Sequence, residues 1–385
     1  MLLKILRKEG STLKKLLWAY KMEVIKNIND ERKIILLMLF LILLGFIYSL
    51  AAGSMQALRV NKLEYYFLIK QFLAAIIGTI LIIAAYKIPL DYYRVIVFPL
   101  YVITIILLAS VFLFEPINGS HRWINVPIFS LQPSEIAKFT TILYLAHYLD
   151  RKNDEIKELL TGFLPACILL GVVVLLVLVE PDMGGAFLIA IVAFSLFFIA
   201  GANIKHLLGI VFFSLPFLLF ILLMGYHKER LISFLDPWSY HNTSGYQLIQ
   251  SLISVGSGGL FGKGIGNSTQ KLYFLPEIHT DFVFAAVAEE LGFIGALILI
   301  GMVLALFILC IKSALKQADN FKFLLIFGVS LMIILPALIH ISVALGLVPT
   351  KGITFPLVSY GGSSLIINMF FVGIVLRNIK ELKCE

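Results

Sequence analysis

Apolar runs of about 17 to 25 residues recur through almost the whole chain, roughly at 34–53, 66–86, 94–114, 133–149, 159–179, 184–203, 206–225, 282–311, 322–348 and 362–376. At a rise of ~1.5 Å per residue, each is long enough as a helix to cross the hydrocarbon layer of a bilayer. The pattern predicts an all-α, polytopic membrane protein of about ten transmembrane helices. The membrane domain spans 34–378, with a basic tail at 1–33 and a short tail at 379–385. The only long hydrophilic connection, 226–281, predicts a large loop between the seventh and eighth helices, and connections of such length usually carry function. Within it, residues 246–255 read as a short amphipathic helix dipping into the interface.

Composition agrees: 60% of residues are hydrophobic, 14% are charged, and the mean hydropathy is +0.98. Orientation follows from the basic residues beside the helix ends. The N-terminal tail holds Lys4, Arg7, Lys8, Lys14, Lys15, Lys21, Lys26, Arg32 and Lys33. That tail reads as cytoplasmic, either as an amphipathic segment on the inner leaflet or simply as a topology signal. An even helix count returns Arg377, Lys380 and Lys383 to the same side, and Asp281 comes out on the outer face. The net charge of +8 is explained by this asymmetry and by attraction to anionic lipid, so nucleic acid is not an expected partner. The three cysteines, Cys167, Cys310 and Cys384, have no spacing that implies a disulfide or a metal site. No cleavable leader is expected, because the first apolar stretch is long and lacks a small-residue cleavage site.

Candidate chemistry gathers in four outer segments. The first is Pro276 to Gly292, where Asp281 stands at the mouth of an apolar helix and Glu289 and Glu290 lie about two turns deeper. Ionisable groups in apolar spans are costly and mark sites or pathways. Asp281 either caps its helix or does chemistry; Glu289 and Glu290 are structural acids or an ion route. The second runs from Asn118 to Phe139, with Arg122 and Trp123 followed by Gln132-Pro133-Ser134-Glu135. Glu135 and Lys138 share a helix face and are close enough to pair, as a structural ion pair or as substrate contacts. The third is Glu180-Pro181-Asp182, with Asp182 read foremost as a helix cap. The fourth is Pro349 to Ser364, too rich in proline and glycine for a lipid-facing helix and therefore buried in protein or lining a cavity. Its Lys351, Ser359, Tyr360, Ser363 and Ser364 supply one cation and several hydroxyls, which suit a diphosphate. The glycine-rich run Gly256 to Gln270 lacks the P-loop spacing; it either forms an anion-binding nest beside Lys263 or permits tight re-entrant packing.

Three of these segments together resemble one family. Arg122-Trp123 with Gln132-Pro133-Ser134-Glu135 and Lys138, Pro276-Glu277 with His279-Thr280-Asp281-Phe282 and Glu289-Glu290-Leu291-Gly292, and Pro349 to Ser364 resemble, in this order, the SEDS proteins FtsW, RodA and SpoVE. Lys351 is more similar to the FtsW and SpoVE branch than to RodA. One departure is His340, where the family generally has asparagine. The resemblance implies peptidoglycan glycosyltransfer from lipid II, in division, cell shape or sporulation. It also implies a class B penicillin-binding protein and other divisome or elongasome proteins as partners, and matches Asp281 to the family's essential aspartate. In that reaction a sugar 4-hydroxyl attacks an anomeric carbon and undecaprenyl diphosphate leaves. Asp281 would be the general base. Lys351 and Arg230 are the first candidates for the diphosphate, with Arg122 and Lys263 behind them, and Trp123 would stack on a sugar or anchor the interface. His279 would support Asp281 or be a plain loop residue. The residues single out no certain cofactor, and a divalent cation near Asp281 and Glu180 to Asp182 stays open. The alternatives are a lipid II flippase, which needs polar groups through the whole membrane thickness, and a purely structural partner of a transpeptidase.

Overall fold

The computed structural model describes residues 29–51, 53–54, 56–57, 62–116, 120–125, 130–223, 225–268 and 278–384. The tail up to residue 28, the turn Asn118-Gly119 and Pro276 lie outside the described residues. The helices are α1 (Asn29–Ala51), α2 (Tyr66–Lys87), α3 (Leu90–Ser110), α4 (Pro133–Arg151), α5 (Leu164–Val179), α6 (Met183–Ile199), α7 (Ile204–Leu222), α8 (Gly225–Leu235), α9 (Tyr246–Ser257), α10 (Val283–Ala314), α11 (Asn320–Ala344) and α12 (Gly362–Cys384). Helices α1 to α7 and α10 to α12 are the ten apolar runs of the sequence. Counted with its flanking turns where they continue the helix, seven are long and apolar enough to cross a membrane: α1, α2, α3, α5, α10, α11 and α12. Helices α6 and α7 are shorter apolar pieces. The protein is a multi-pass membrane protein. Its last helix runs on through the 379–385 stretch as far as Cys384, so the short C-terminal tail expected there is mostly helical.

Helix α4 is the exception in composition and the centre of the bundle. It packs against α3, α6 and α11, and most of its residues, Glu135 and Lys138 included, are buried. Protein rather than lipid surrounds it, so it can carry polar groups that a lipid-facing span could not. Its Phe139 meets Phe370 edge to face at 4.9 Å and Tyr93 at 6.1 Å, locking α4 to α12 and α3. Helix α12 lies along α2, and α10 along α11.

The ends of α3, α4, α11 and α12 farthest from Asp281 are tied by charges. Arg94 reaches Asp150 at 2.7 Å and Asp319 at 2.6 Å, and lies over the Phe321 ring at 4.5 Å. Lys322 reaches Glu381 at 3.0 Å and Asp91 at 3.1 Å, while Glu381 also takes the Leu90 amide.

The described part of the long loop is largely helix and turn. Helix α9 packs on α10 and α11, as its amphipathic pattern requires. The glycine-rich stretch after it is built into α10. At Gly292 (φ 69°, ψ −168°) the helix breaks in a conformation essentially restricted to glycine. The loop mends the break: the amides of Lys263 and Gly264 bond to the carbonyls of Glu289 and Glu290, and the amides of Phe293 and Ile294 to those of Gly259 and Leu260. A Cβ on Gly262 or Gly292 would come within 2.3 Å of the opposing backbone. These glycines serve close re-entrant packing, the second of the two readings of that run.

Candidate functional site

Asp281 lies on a turn spanning Ile278 to Asp281, and α10 begins only at Val283 with Phe282 in the cap position and no side-chain cap. The aspartate therefore does not fill the N-cap position expected of a structural role. The turn is bolted to the loop between α11 and α12. Tyr360 donates its amide to the His279 carbonyl at 2.9 Å, and the Ser359 hydroxyl donates to the Thr280 carbonyl at 2.6 Å while accepting the Phe355 amide. Buried His340 adds a third tie. Its Nδ1 is 2.8 Å from the Ile353 carbonyl and its Nε2 is 3.4 Å from the Phe284 amide, so one neutral tautomer, protonated on Nδ1, serves both. His340 thus joins the two segments that hold Asp281 and Lys351.

These segments open onto a cavity of about 1770 Å³. Its described lining includes Asp281, Lys351, Arg230, Arg122, Trp123, Glu135, Lys138 and His279. Residues from five separate outer or helical segments are brought to one space. Gly352 leaves room for this approach, since a Cβ there would stand 3.2 Å from Asp281 Oδ2. Lys351 Nζ sits 4.9 Å from the Phe187 ring centre, and burial holds its ammonium below the ordinary lysine range. Arg230 donates to the Thr350 carbonyl at 3.0 Å, and Arg122 to the carbonyls of Glu180 and Pro181. Lys138 and Glu135 form a buried pair at 2.6 Å. Asp182 caps α6 through the Gly185 amide, as expected, and its other oxygen takes Ser134 and Gln132. Glu180 beside it is fully buried and its carboxyl is pushed up to about 8 by that burial and by the Asp182 carboxylate, against the pull of Arg122. Among the described residues no group of three histidine, cysteine or carboxylate side chains is arranged around a metal position.

Three candidates from the sequence sit elsewhere. Lys263 pairs with buried Glu289 at 2.7 Å and is absent from the described lining, because the glycine loop it belongs to is seated on the α10 break. Ser359 spends its hydroxyl on the backbone, as above. Ser363 donates to the Ser130 carbonyl and accepts the Gln132 amide, clasping the start of α12 to the entry of α4. It is the neighbouring Ser364, bonded to Thr354 at 2.8 Å, that faces the cavity. Conversely, Lys70 and Phe67 of α2 line the cavity, although nothing in the apolar pattern of that helix places it there, and Tyr360 joins them from the segment expected to line a cavity.

Among the described lining residues five cations, Lys70, Arg122, Lys138, Arg230 and Lys351, face three carboxylates, Glu135, Asp182 and Asp281. The surplus favours an anionic ligand. Below this polar mouth the cavity continues between α5, α6 and α7 along apolar side chains such as Leu170, Val174, Phe194 and Leu207. A charged head joined to a long apolar tail fits that division.

Comparison with known proteins agrees with this geometry. Residues 31–383 match the model of the FtsW, RodA and SpoVE family, described as cell cycle proteins. The chain is 37% identical over 364 residues to a probable peptidoglycan glycosyltransferase FtsW of Geobacter metallireducens, covering 93% of this chain and 97% of that one. Among solved structures it is similar to a chain of a peptidoglycan synthase complex that coordinates polymerization and crosslinking (TM-score 0.75, 29% identity, 91% of this chain and 97% of the other). It is also similar to the rod shape determining protein RodA of Thermus thermophilus (TM-score 0.65, 27% identity, 90% and 96%).

Proposed function

Since the chain belongs to the FtsW, RodA and SpoVE family, we propose that it is a peptidoglycan glycosyltransferase that polymerises lipid II with Asp281 as general base. The observation that carries this reading is Asp281 in a cation-rich cavity mouth with an apolar channel beneath it. The 4-hydroxyl of one lipid-linked disaccharide attacks the anomeric carbon of another. Its proton passes to Asp281, the new glycosidic bond forms, and the electron pair of the broken bond leaves with undecaprenyl diphosphate. Lys351 and Arg230, with Arg122, stabilise that departing charge; a cation aimed at charge that develops in the transition state contributes most to rate. Trp123, also on the lining, offers a face to a sugar ring.

The reading sets the cavity mouth on the outer face of the plasma membrane with both termini in the cytoplasm, following the basic residues. A class B penicillin-binding protein supplies the transpeptidase, in keeping with the synthase complex to which the fold is similar. Other divisome or elongasome proteins complete the setting. The flippase alternative gains no support from the lower cavity, whose described walls between α5, α6 and α7 are mostly apolar and offer a head group few polar contacts.

The test is glycan formation from purified lipid II by the protein with its cognate transpeptidase. Polymer from the wild type and none from a well-folded Asp281→Asn variant supports the reading. Equal polymer from both sinks the role of Asp281, and lipid scrambling without polymer from either would favour the flippase.

A further inference from the structure

Two polar poles flank Asp281. One is the group already described, Lys351 with Arg230 and Arg122, reached through Gly352. The other is built on the aspartate's own turn, around His279. There Phe67 of α2 packs against the His279 ring (centroids 4.9 Å apart) and edge to face against Tyr360 at 5.0 Å, and His279 and Tyr360 are 5.4 Å apart. Lys70, one helical turn from Phe67, completes this wall, and all four residues line the cavity. Lys70 contacts the Tyr66 ring at 4.7 Å and pairs with no carboxylate among the described residues. An ammonium held by an aromatic ring but left without an anion, beside further aromatic rings on the cavity lining, is chemistry for a phosphorylated sugar.

We propose that Lys70, Phe67, His279 and Tyr360 form the subsite for the acceptor, the lipid-linked sugar that supplies the 4-hydroxyl and keeps its diphosphate. This rests on the glycosyltransferase reading and deepens it by dividing the cavity. The division follows from charge. The donor's diphosphate gains negative charge as its bond to the anomeric carbon breaks, so it belongs at the pole with three cations. The acceptor's phosphates do not change charge, and one cation with an aromatic platform holds them without raising the barrier. The cavity, at about 1770 Å³, is larger than the 300–1,000 Å³ or so of an ordinary single-ligand site. The His279 carbonyl, two residues before Asp281, is fixed by the Tyr360 amide, so this wall and the base form one rigid unit.

The experiment separates the two substrates. Lipid II lacking the 4-hydroxyl can only donate; an analogue with a phosphonate in place of the anomeric phosphate link can only accept. Single transfer between them is measured with the full chain and its transpeptidase, varying one substrate at a time. Lys70→Gln should raise the half-saturating acceptor concentration about tenfold, the scale of one lost charge-assisted hydrogen bond, and leave the donor value within about twofold. Lys351→Gln should act mainly on the donor. Lys70→Arg should recover most of the acceptor affinity, and an unchanged melting temperature shows that the variants fold. A Lys70→Gln effect on the donor, on both equally or on neither overturns the assignment. No transfer by the wild type overturns the glycosyltransferase reading and this subsite with it.

Discussion

Gly352 and Asp281 touch: a single methyl added to the glycine would lie 3.2 Å from the carboxylate oxygen Oδ2. The glycine has ordinary backbone angles, so alanine there strains only the contact. Gly352→Ala should leave stability within about 1 kcal/mol. It should also slow glycan synthesis by one to two orders of magnitude, because small displacements of a reacting group cost about 100-fold. Initial rates at saturating lipid II, set beside the melting temperature, check this; a full-speed alanine variant would mean that Asp281 needs no fixed position.

Lys263 and Glu289 should behave as a structural pair. Glu289 is fully buried and accepts from Ser254 and Ser268 as well as Lys263. Removing the lysine alone strands a buried charge, a loss of about 3 kcal/mol or less since Lys263 is partly exposed. The double variant Lys263→Met with Glu289→Gln should be the more stable of the two and should retain activity. Thermal unfolding in detergent of both single variants and the double gives the coupling, and loss of activity in a stable double variant would return Lys263 to the site.

Glu180 sets a pH dependence. Its folded-state value near 8 lies above the ordinary carboxylate value of 4.5, so folding favours the protonated form. Its contribution is whole below about pH 4.5 and is lost as pH rises through about 8. The melting temperature of the wild type should therefore fall between pH 6 and pH 9 relative to that of Glu180→Gln. Parallel curves for the two proteins would show that the carboxyl titrates normally.

Arg94 should matter to stability and not to chemistry. It serves Asp150 and Asp319 at the far end of the bundle from Asp281, partly exposed on both sides. Arg94→Leu should cost about 1–2 kcal/mol, between the values of surface and buried pairs. Activity per folded molecule should stay at the wild-type level, measured after normalising to the folded fraction.

Much of this was readable in the chain, for identifiable reasons. Helix positions followed from run length, and α2 starts at residue 66 as expected because lipid imposes a minimum length on apolar segments. Asp281, Lys351, Arg230, Arg122 and Trp123 do share one cavity, which the polar interruptions of an apolar chain announce. Other assignments failed where tertiary packing decides. The hydroxyls of Ser359 and Ser363 appear available in a sequence, yet loops without regular structure must satisfy their backbone, and these two side chains do so. The partner of Lys263 stands 26 residues away across a broken helix. Lys70 reads as a lysine reaching for the interface, and only the seating of α2 on α12 turns it toward the cavity.

The polarity of α4 bears on how the protein is made. A segment that carries a glutamate and a lysine among its first six residues gains little from entering lipid alone, where each such charge costs about 2.5–3.5 kcal/mol at mid-membrane. Its burial against α3, α6 and α11 comes from helices synthesised before and after it. Full burial of α4 therefore depends on α11, whose first residue follows that of α4 by roughly 190 positions, so the helix can be sealed from lipid only after most of the chain has been made.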